Sequence, residues 1–342
     1  MSFNFWRYLD ESLTKEDPIP NIRIANLYPS EASVEYTDES GNRQVVGACH
    51  RQSWLRVKLA EEVAKTRQNK LTLHLNPRTV VIEPTPHTPH TLRRFAFGNM
   101  IEDMVINEMK DAGILASRHK RYFQPIRYGY NLSGELDMVG IEPDTRKLFG
   151  VECKSFANYM AQKQIVGDIN RRIKGKPKDS QVLQAAIYAD WWPELEYFKL
   201  VYMGRDTHLT QEFDITVDRV SKIIAIDGRP IKQYTLKDVY TRYETLAMNL
   251  YNNTLPSRDF DLEYTDDKMN KLMNTNIISN TDKNTWEKYW QRELDIKNGV
   301  TKNGRKLMSL KRPSIGPWNC KAQYCQYHHF CYDSNGCPKQ YN

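Results

Sequence analysis

The chain has 342 residues, enough to bury a sizeable core in one large domain or in a core domain with an appendage. Lys and Arg outnumber Asp and Glu by 49 to 42, for a formal charge of +7, and they cluster along the chain, which favours a polyanionic partner. No run approaches the roughly 18 apolar residues of a membrane helix, and Met1-Ser-Phe-Asn-Phe-Trp-Arg7 lacks the apolar stretch of a signal peptide, so a soluble, cytoplasmic protein with no membrane contact is expected.

Residues 1–20 read as a loose leader carrying Phe3, Phe5 and Trp6. Ser30, following Pro29, can cap a helix start. Ala48-Cys49-His50-Arg51 then opens a helical segment through Trp54, Leu55, Val57, Leu59 and Val63. A second helix is predicted over 90–112, where Leu92, Phe95, Ile101, Met104, Val105 and Met109 form an amphipathic stripe and Gly113 supplies the stop. Gly98 and Glu102 lie one turn apart on it, and Ile101 and Val105 flank Glu102, which places that carboxylate at the edge of the buried face or on the solvated surface. Strand signals cover 120–128.

Ser133-Gly-Glu-Leu-Asp137 and Val151-Glu-Cys-Lys154 follow, separated by a turn at Pro143 and Asp144 with alternating apolar residues on both sides, the pattern of a β-hairpin. Side chains alternate across a strand, so Glu152 and Lys154 share one face, where Asp137 can join them, and Cys153 takes the other. Two carboxylates can hold Mg²⁺ or Mn²⁺ against a phosphate while an ammonium orients or deprotonates the attacking water. The bland alternative is a hairpin whose Asp, Glu and Lys are simply solvated.

Residues 159–178 mix helix formers with Arg171, Arg172, Lys174, Lys176 and Lys178, which fit either a solvated loop or a phosphate-contacting rim beside the acidic site. A helix then carries Gln181 to Tyr188, with Gln184 and Tyr188 on one face and Leu183, Ala186 and Ile187 as its buried stripe. Strands at 196–203 and 209–216 and a helix at 236–252 complete an α/β core with a mixed central sheet flanked by helices. From 254 to 316 the pattern weakens, apart from Trp286, Tyr289 and Trp290 on a short helix, and basic residues return at Lys302, Arg305, Lys306, Lys311 and Arg312. The expected division is an N-terminal helical part at 1–89, a core at 90–253 and a C-terminal part at 254–342. Of the cysteines, Cys320, Cys325, Cys331 and Cys337 crowd the C-terminus, which in a reducing compartment suggests metal in preference to disulfides.

Gly98…Glu102, Gly134-Glu-Leu-Asp137, Glu152-Cys-Lys154 and Gln184-x3-Tyr188 together resemble, in order and spacing, the motif series of the PD-(D/E)xK nucleases, specifically their RecB-like exonuclease branch. The resemblance implies a restriction-endonuclease-like core. In it, Glu102, Asp137, Glu152 and the Cys153 backbone carbonyl bind Mg²⁺ or Mn²⁺, and Lys154 assists the water. Gln184 steadies substrate or Lys154, and Tyr188 stands behind it or stacks a base. An iron–sulfur subset of that branch, including CRISPR-associated exonucleases, places one cysteine before the core and three after it, as Cys49 and Cys320-x4-Cys325-x5-Cys331 do here. That implies a [4Fe–4S] cluster clipping the helical ends of the chain together.

This chain departs from the family in two places. The first trailing spacer has four residues where two are usual, which leaves Cys337 as a substitute for Cys320, and Glu102 stands where CRISPR-associated members commonly carry histidine. A local zinc site of Cys320, Cys325 and Cys331 with Cys337 or His328 is the competing cofactor. The expected activity is a metal-dependent DNA exonuclease acting on single-stranded or frayed DNA ends, in recombination, repair, or phage or CRISPR DNA processing. The alternatives are a restriction-type endonuclease on the same chemistry and a non-catalytic nucleic-acid-binding subunit.

Overall fold

The structure, a computed structural model, describes residues 9–13, 26–39, 41, 43–68, 70–75, 78–83, 88–157, 159–168, 172–260, 264–274, 278–303, 305–310, 312–313, 320, 325 and 327–331. The chain forms two compact units, one of residues 1–72 with 81–259 and the other of 73–80 with 260–342. Residues 1–72 thus group with those of 81–259, and residues from 260 on belong to the second unit.

In the first unit, Pro29–Glu31 form a single 3-10 turn, so Ser30 lies inside a turn rather than capping a helix. The hairpin of β1 (Ser33–Thr37) and β2 (Arg43–Gly47) precedes helix α1 (His50–Thr66), which has Cys49 at its N-cap and ends where Arg67 adopts left-handed φ. Strands β3 (Leu71–Leu75) and β4 (Arg78–Ile82) pair as a two-stranded sheet, of which residues 73–80 belong to the second unit. Helix α2 (Pro89–Asp111) starts as its sequence dictates, with the Thr88 hydroxyl accepting from the Thr91 N–H and Pro89 at the first position, and it stops at Gly113 with φ of 70°.

The main sheet is built from β5 (Leu115–Pro125), β6 (Asn131–Ile141) and β7 (Leu148–Phe156), and after them helix α3 (Tyr159–Ile165) and the small hairpin of β8 (Gly167–Asp168) and β9 (Ile173–Lys174). Helix α4 (Asp179–Trp191) leads into β10 (Leu195–Gly204), β11 (Thr210–Val217), β12 (Ile224–Ile226) and β13 (Arg229–Pro230), and α5 (Leu236–Tyr251) closes the unit. The order across the seven-stranded sheet is β13-β12-β11-β10-β7-β6-β5. The β7–β10 pair is parallel and its other pairs are antiparallel, so the sheet is mixed and the fold is α/β, as expected. The one parallel pair follows from topology: α4 is the crossover that returns the chain to run beside β7.

Helix α2 buries Ile101, Val105, Ile106 and Met109 against Met138, Phe149, Val151 and Met203 of the sheet. Helix α4 is apolar nearly all round, buried from Val182 to Ala189, and packs on β10 and β11. These two contacts fix α2 against β7 and its neighbours and α4 against β10 and β11. In the second unit, helices α6 (Asp266–Met273) and α7 (Asn280–Lys297) enclose Tyr264, Met269, Ile278 and Trp286, followed by β14 (Thr301–Lys302), β15 (Arg305–Lys306) and the single turn α8 (His328–Cys331). Arg312 lies over the Trp286 ring and pairs with Asp266. Among the described residues no helix is long and apolar enough to cross a membrane.

Ile106 is buried between α2 and the sheet, and Ile106→Ala is expected to cost about 2 to 5 kcal/mol in unfolding free energy, read by chemical denaturation. A loss below about 0.5 kcal/mol would mean that α2 is not anchored through this side chain.

Candidate active site

The hairpin register runs through Met138↔Val151 and then stops. Continued by one step it would set Asp137 opposite Glu152. Instead the Asp137 carboxylate accepts the backbone N–H of Cys153 at 2.8 Å, a side chain taking the place of the missing ladder bond. Beyond this point β7 continues beside β10, with Glu152↔Leu200 and Lys154↔Tyr202 in register, and the gap between β6 and β7 is where the polar side chains collect.

Glu152 is only 1% exposed. Its Oε1 accepts from Lys154 Nζ at 2.5 Å and from Gln184 Nε2 at 2.7 Å, while its Oε2 is buried without a hydrogen-bond partner. Burial, with the nearby Asp137 and Glu102 charges adding to it, pushes the Glu152 carboxyl from its ordinary 4.5 to about 8. Burial also raises Asp137, and Glu102 is raised by burial and then by the charge of Asp137. For Lys154, burial disfavours the ammonium, but Glu152 and Asp137 outweigh it and hold the group above the ordinary lysine range. In this arrangement Lys154 is held as a cation by its ion pair with Glu152. Three carboxyls and one lysine thus share a desolvated place, and the Glu152 Oε2 without a hydrogen-bond partner is where a cation could be received. Even so, among the described residues no three His, Cys, Asp or Glu side chains are arranged to hold a metal ion.

Glu102 is half-buried on α2 at the edge of the apolar stripe, as its neighbours Ile101 and Val105 imply. Cys153 turns away from Glu152 and packs against the α2 cluster, and burial pushes its thiol up to about 12. Tyr188 is 1% exposed, packed among Tyr122, Trp192 and Phe198, with its hydroxyl donating to the Glu135 carbonyl. No ring face is free to stack a base, so that expectation is corrected and Tyr188 is a supporting residue. Its hydroxyl explains Gly134, where an added Cβ would lie 2.6 Å from the Tyr188 oxygen. Gly98, by contrast, has open space beside it.

One residue that sequence patterning missed belongs here. His119, on β5 with φ of 50°, lies between Arg118 and Lys120, whose partners Met138 and Leu136 flank Asp137. Its Nδ1 is 3.0 Å from Glu135 Oε1 and 3.9 Å from Glu102 Oε1, and its charge acts on Asp137. Nothing in Ser117-Arg-His-Lys-Arg121 signals this, because the kink that turns the ring inward is not a property of any motif.

In the basic run, Arg172, Lys174 and Lys176 are exposed on and after the β8–β9 hairpin, and Arg171 lies outside the described residues. Lys178 differs from them: it is half-buried at the start of α4, and burial, then the charges of Arg94 and Arg205, lower it. Cys49 lies in the first unit and Cys320, Cys325 and Cys331 in the second. All four are half-buried. Cys325 feels Cys331, and burial pushes the Cys325 thiol up to about 11. Cys337 lies outside the described residues, as does the side chain of His328.

No protein-family model matches the chain, and no curated protein does. Among solved structures, the crystal structure of SSO0001 is similar at 13% identity, covering 74% of this chain and 88% of that one with a TM-score of 0.36. At that level the likeness bears on neither fold nor activity.

The raised Glu152 carboxyl carries a pH signature. Folding takes up a proton between pH 4.5 and about 8, so its contribution to stability is full below 4.5 and is lost as pH rises towards 8. Glu152→Gln, measured in EDTA, should remove this loss and be more stable than wild type at pH 8.5 by on the order of 3 kcal/mol, with the two converging near pH 5. Parallel melting curves from pH 5 to 9 would show that the carboxyl is not desolvated as described.

Proposed function

We propose that the chain is a metal-dependent DNA nuclease acting on strand ends, an exonuclease, with the β5-β6-β7-β10 strands and helices α2 and α4 as a core of restriction-endonuclease type. One observation carries the reading: Asp137, Glu152, Lys154 and Gln184, scattered over 48 positions, meet in one desolvated group, and a carboxylate oxygen in it has no partner. A structural ion pair would not need three carboxyls that raise one another's pKa.

Asp137, Glu152, Glu102 and the Cys153 carbonyl would hold Mg²⁺ or Mn²⁺, which when bound polarises a phosphate and acidifies water. Gln184 clamps Glu152 Oε1 and so directs Oε2 to the cation. Lys154, held charged, places a donor beside the attacked phosphate and stabilises the charge that develops there. Tyr188 and Gly134 keep the Glu135 carbonyl and the β6 backbone in place. His119, braced by Glu135, sets the outer edge of the acidic group. Exposed cations of the basic run suit a DNA backbone.

The trailing cysteines are a second element of the proposal. Buried thiols such as Cys325 stay protonated unless a metal compensates the thiolate, and the family resemblance points to iron–sulfur. Anaerobically purified protein with about four iron and four sulfide per chain, lost in Cys325→Ala, is the expected result. One zinc and no iron would assign a zinc site instead.

Asp137→Ala, Glu152→Ala and Lys154→Ala should each lower Mn²⁺-dependent cleavage of end-labelled linear DNA by at least about a hundredfold. Melting in EDTA should fall for Asp137→Ala and Glu152→Ala, which strip the Cys153 N–H and the Lys154 ammonium of their acceptors, so cleavage is compared at a temperature where circular dichroism shows each variant folded. Circular DNA should survive. Cutting of circles would replace exonuclease with endonuclease, and full activity in any of the three variants would remove that residue from the chemistry.

A further inference from the structure

At the β11–β13 side of the sheet two adjoining cavities of about 440 and 360 Å³ share Lys174, Gly175, Phe213 and Asp227. The larger is walled by Tyr36 and Tyr234, whose rings lie 5.6 Å apart, and rimmed by Lys174, Lys176 and Arg229. The smaller includes Ile173, 55% exposed although it is a large aliphatic side chain on a hairpin.

Three observations separate this place from an ordinary surface dent. Tyr234 is 7% exposed and lines the larger cavity, and among the described residues its hydroxyl hydrogen-bonds to no protein group while keeping access to solvent. Lys174 and Arg229 are exposed and have no ion-pair partner among the described residues, whereas Lys176 is paired with Asp179 at 3.4 Å. The loop carrying the two lysines is also held rigidly. A Cβ on Gly175 would meet the Ile165 carbonyl oxygen at 1.9 Å, so the chain passes flush against α3, and Lys176 N–H donates to the Gln164 carbonyl at 2.8 Å.

The place is also tied to the acidic site. Phe213 sits on β11, opposite Leu200 of β10, and Lys154 on β7 is in register with Tyr202 of β10. The cavity wall is thus two strand spacings, about 10 Å, from β7. The Lys178 N–H donates to the Tyr202 hydroxyl at 3.1 Å, so the chain that bears Lys174 and Lys176 runs directly from the cavity rim to the start of α4, the helix of Gln184.

We propose that the double cavity takes consecutive unstacked bases of a single DNA strand a few nucleotides from the acidic site, with Lys174, Lys176 and Arg229 on the backbone phosphates. Its place along a strand being cut rests on the nuclease reading; its binding of the strand does not. Tyr36 and Ile173 give the surfaces against which base planes lie. The Tyr234 hydroxyl, Asp179 and Asp227 meet the polar edges of the bases, whose amino groups donate and whose ring nitrogens and carbonyls accept. In a single strand the base edges are free to meet these acceptors while the phosphates reach the cationic rim, whereas in a duplex the bases are paired and stacked.

The test is fluorescence anisotropy of a fluorescein-labelled 12-nucleotide single strand of mixed sequence, bound to the full chain in EDTA across a salt series. Lys174→Glu with Arg229→Glu should weaken binding at least about tenfold and reduce the salt slope by about 0.7 for each contact removed. Tyr36→Ala should weaken it about fivefold or more with the slope unchanged. The same charge change at Lys65 and Lys110 should do much less. The inference is overturned by wild-type affinity in the cavity variants, by equal loss in the Lys65 and Lys110 control, or by an equal loss for a duplex probe. It is also overturned if the cavity variants lose a poly-glutamate peptide and keep the DNA strand. Intact strand binding with no cleavage in Mn²⁺ would instead sink the nuclease reading and leave this site standing.

Discussion

A carboxylate out of water is the constraint on which the first unit depends. Placing Glu152 at the centre of the sheet costs several kcal/mol unless its charge is answered, and the structure answers only half of it: Oε1 has Lys154 and Gln184, Oε2 has nothing. Every element around it follows from delivering those partners. Lys154 must lie two residues on along β7, Gln184 must arrive from a helix buried on nearly all sides, and Asp137 must leave the β6–β7 ladder to take the Cys153 N–H. The apolar contacts of α2 and α4 supply the rigidity that keeps this charge group from relaxing into water.

The same desolvation makes the group responsive. Carboxyls that are raised by burial and by one another bind protons where water-exposed ones would not, and a divalent cation competes for the place of those protons. Asp137, Glu152 and Glu102 are therefore coupled, and a change at one alters the charge state of the others. The His119 side chain, brought in by a left-handed residue inside a strand, is part of that balance because it lies against Glu135 and Glu102.

What could be read from the chain was what local pattern encodes. The helix from Pro89 and its stop at Gly113 have caps and a 3.6-residue stripe, and the Asp137 and Glu152 strands alternate about a turn, so both were legible. The mixed sheet followed from the order of elements. The β1–β2 hairpin is hard to read because, although Ser33-Val-Glu-Tyr-Thr37 alternates, five residues are a short window and its partner Arg43-Gln-Val-Val-Gly47 does not alternate, and the β8–β9 hairpin because two-residue strands have no period. Strand β5 began five residues before the expected start, since Ala116 to Arg121 reads as a basic loop until it is paired with β6. Tyr188 looked like a site residue because it shares a face with Gln184, but spacing on a helix says nothing about how deeply that face is covered.

The charges around the acidic group complete the argument. Arg205 follows directly on β10 and its N–H bonds to the carbonyl at the end of β7, two residues beyond Lys154, while its Nε is buried with no hydrogen-bond partner. Lys178, after burial, is depressed by Arg94 and by Arg205, so cations have gathered here against their mutual repulsion. On α2, Arg94 is two turns from Glu102, with the open flank of Gly98 between them on the same face. The centre thus carries negative charge that lacks a cation, and its margin carries positive charge that lacks an anion. The two imbalances lie side by side because β7 ends between them: Glu152 and Lys154 face the acidic group, and two residues on the Phe156 carbonyl takes the Arg205 N–H.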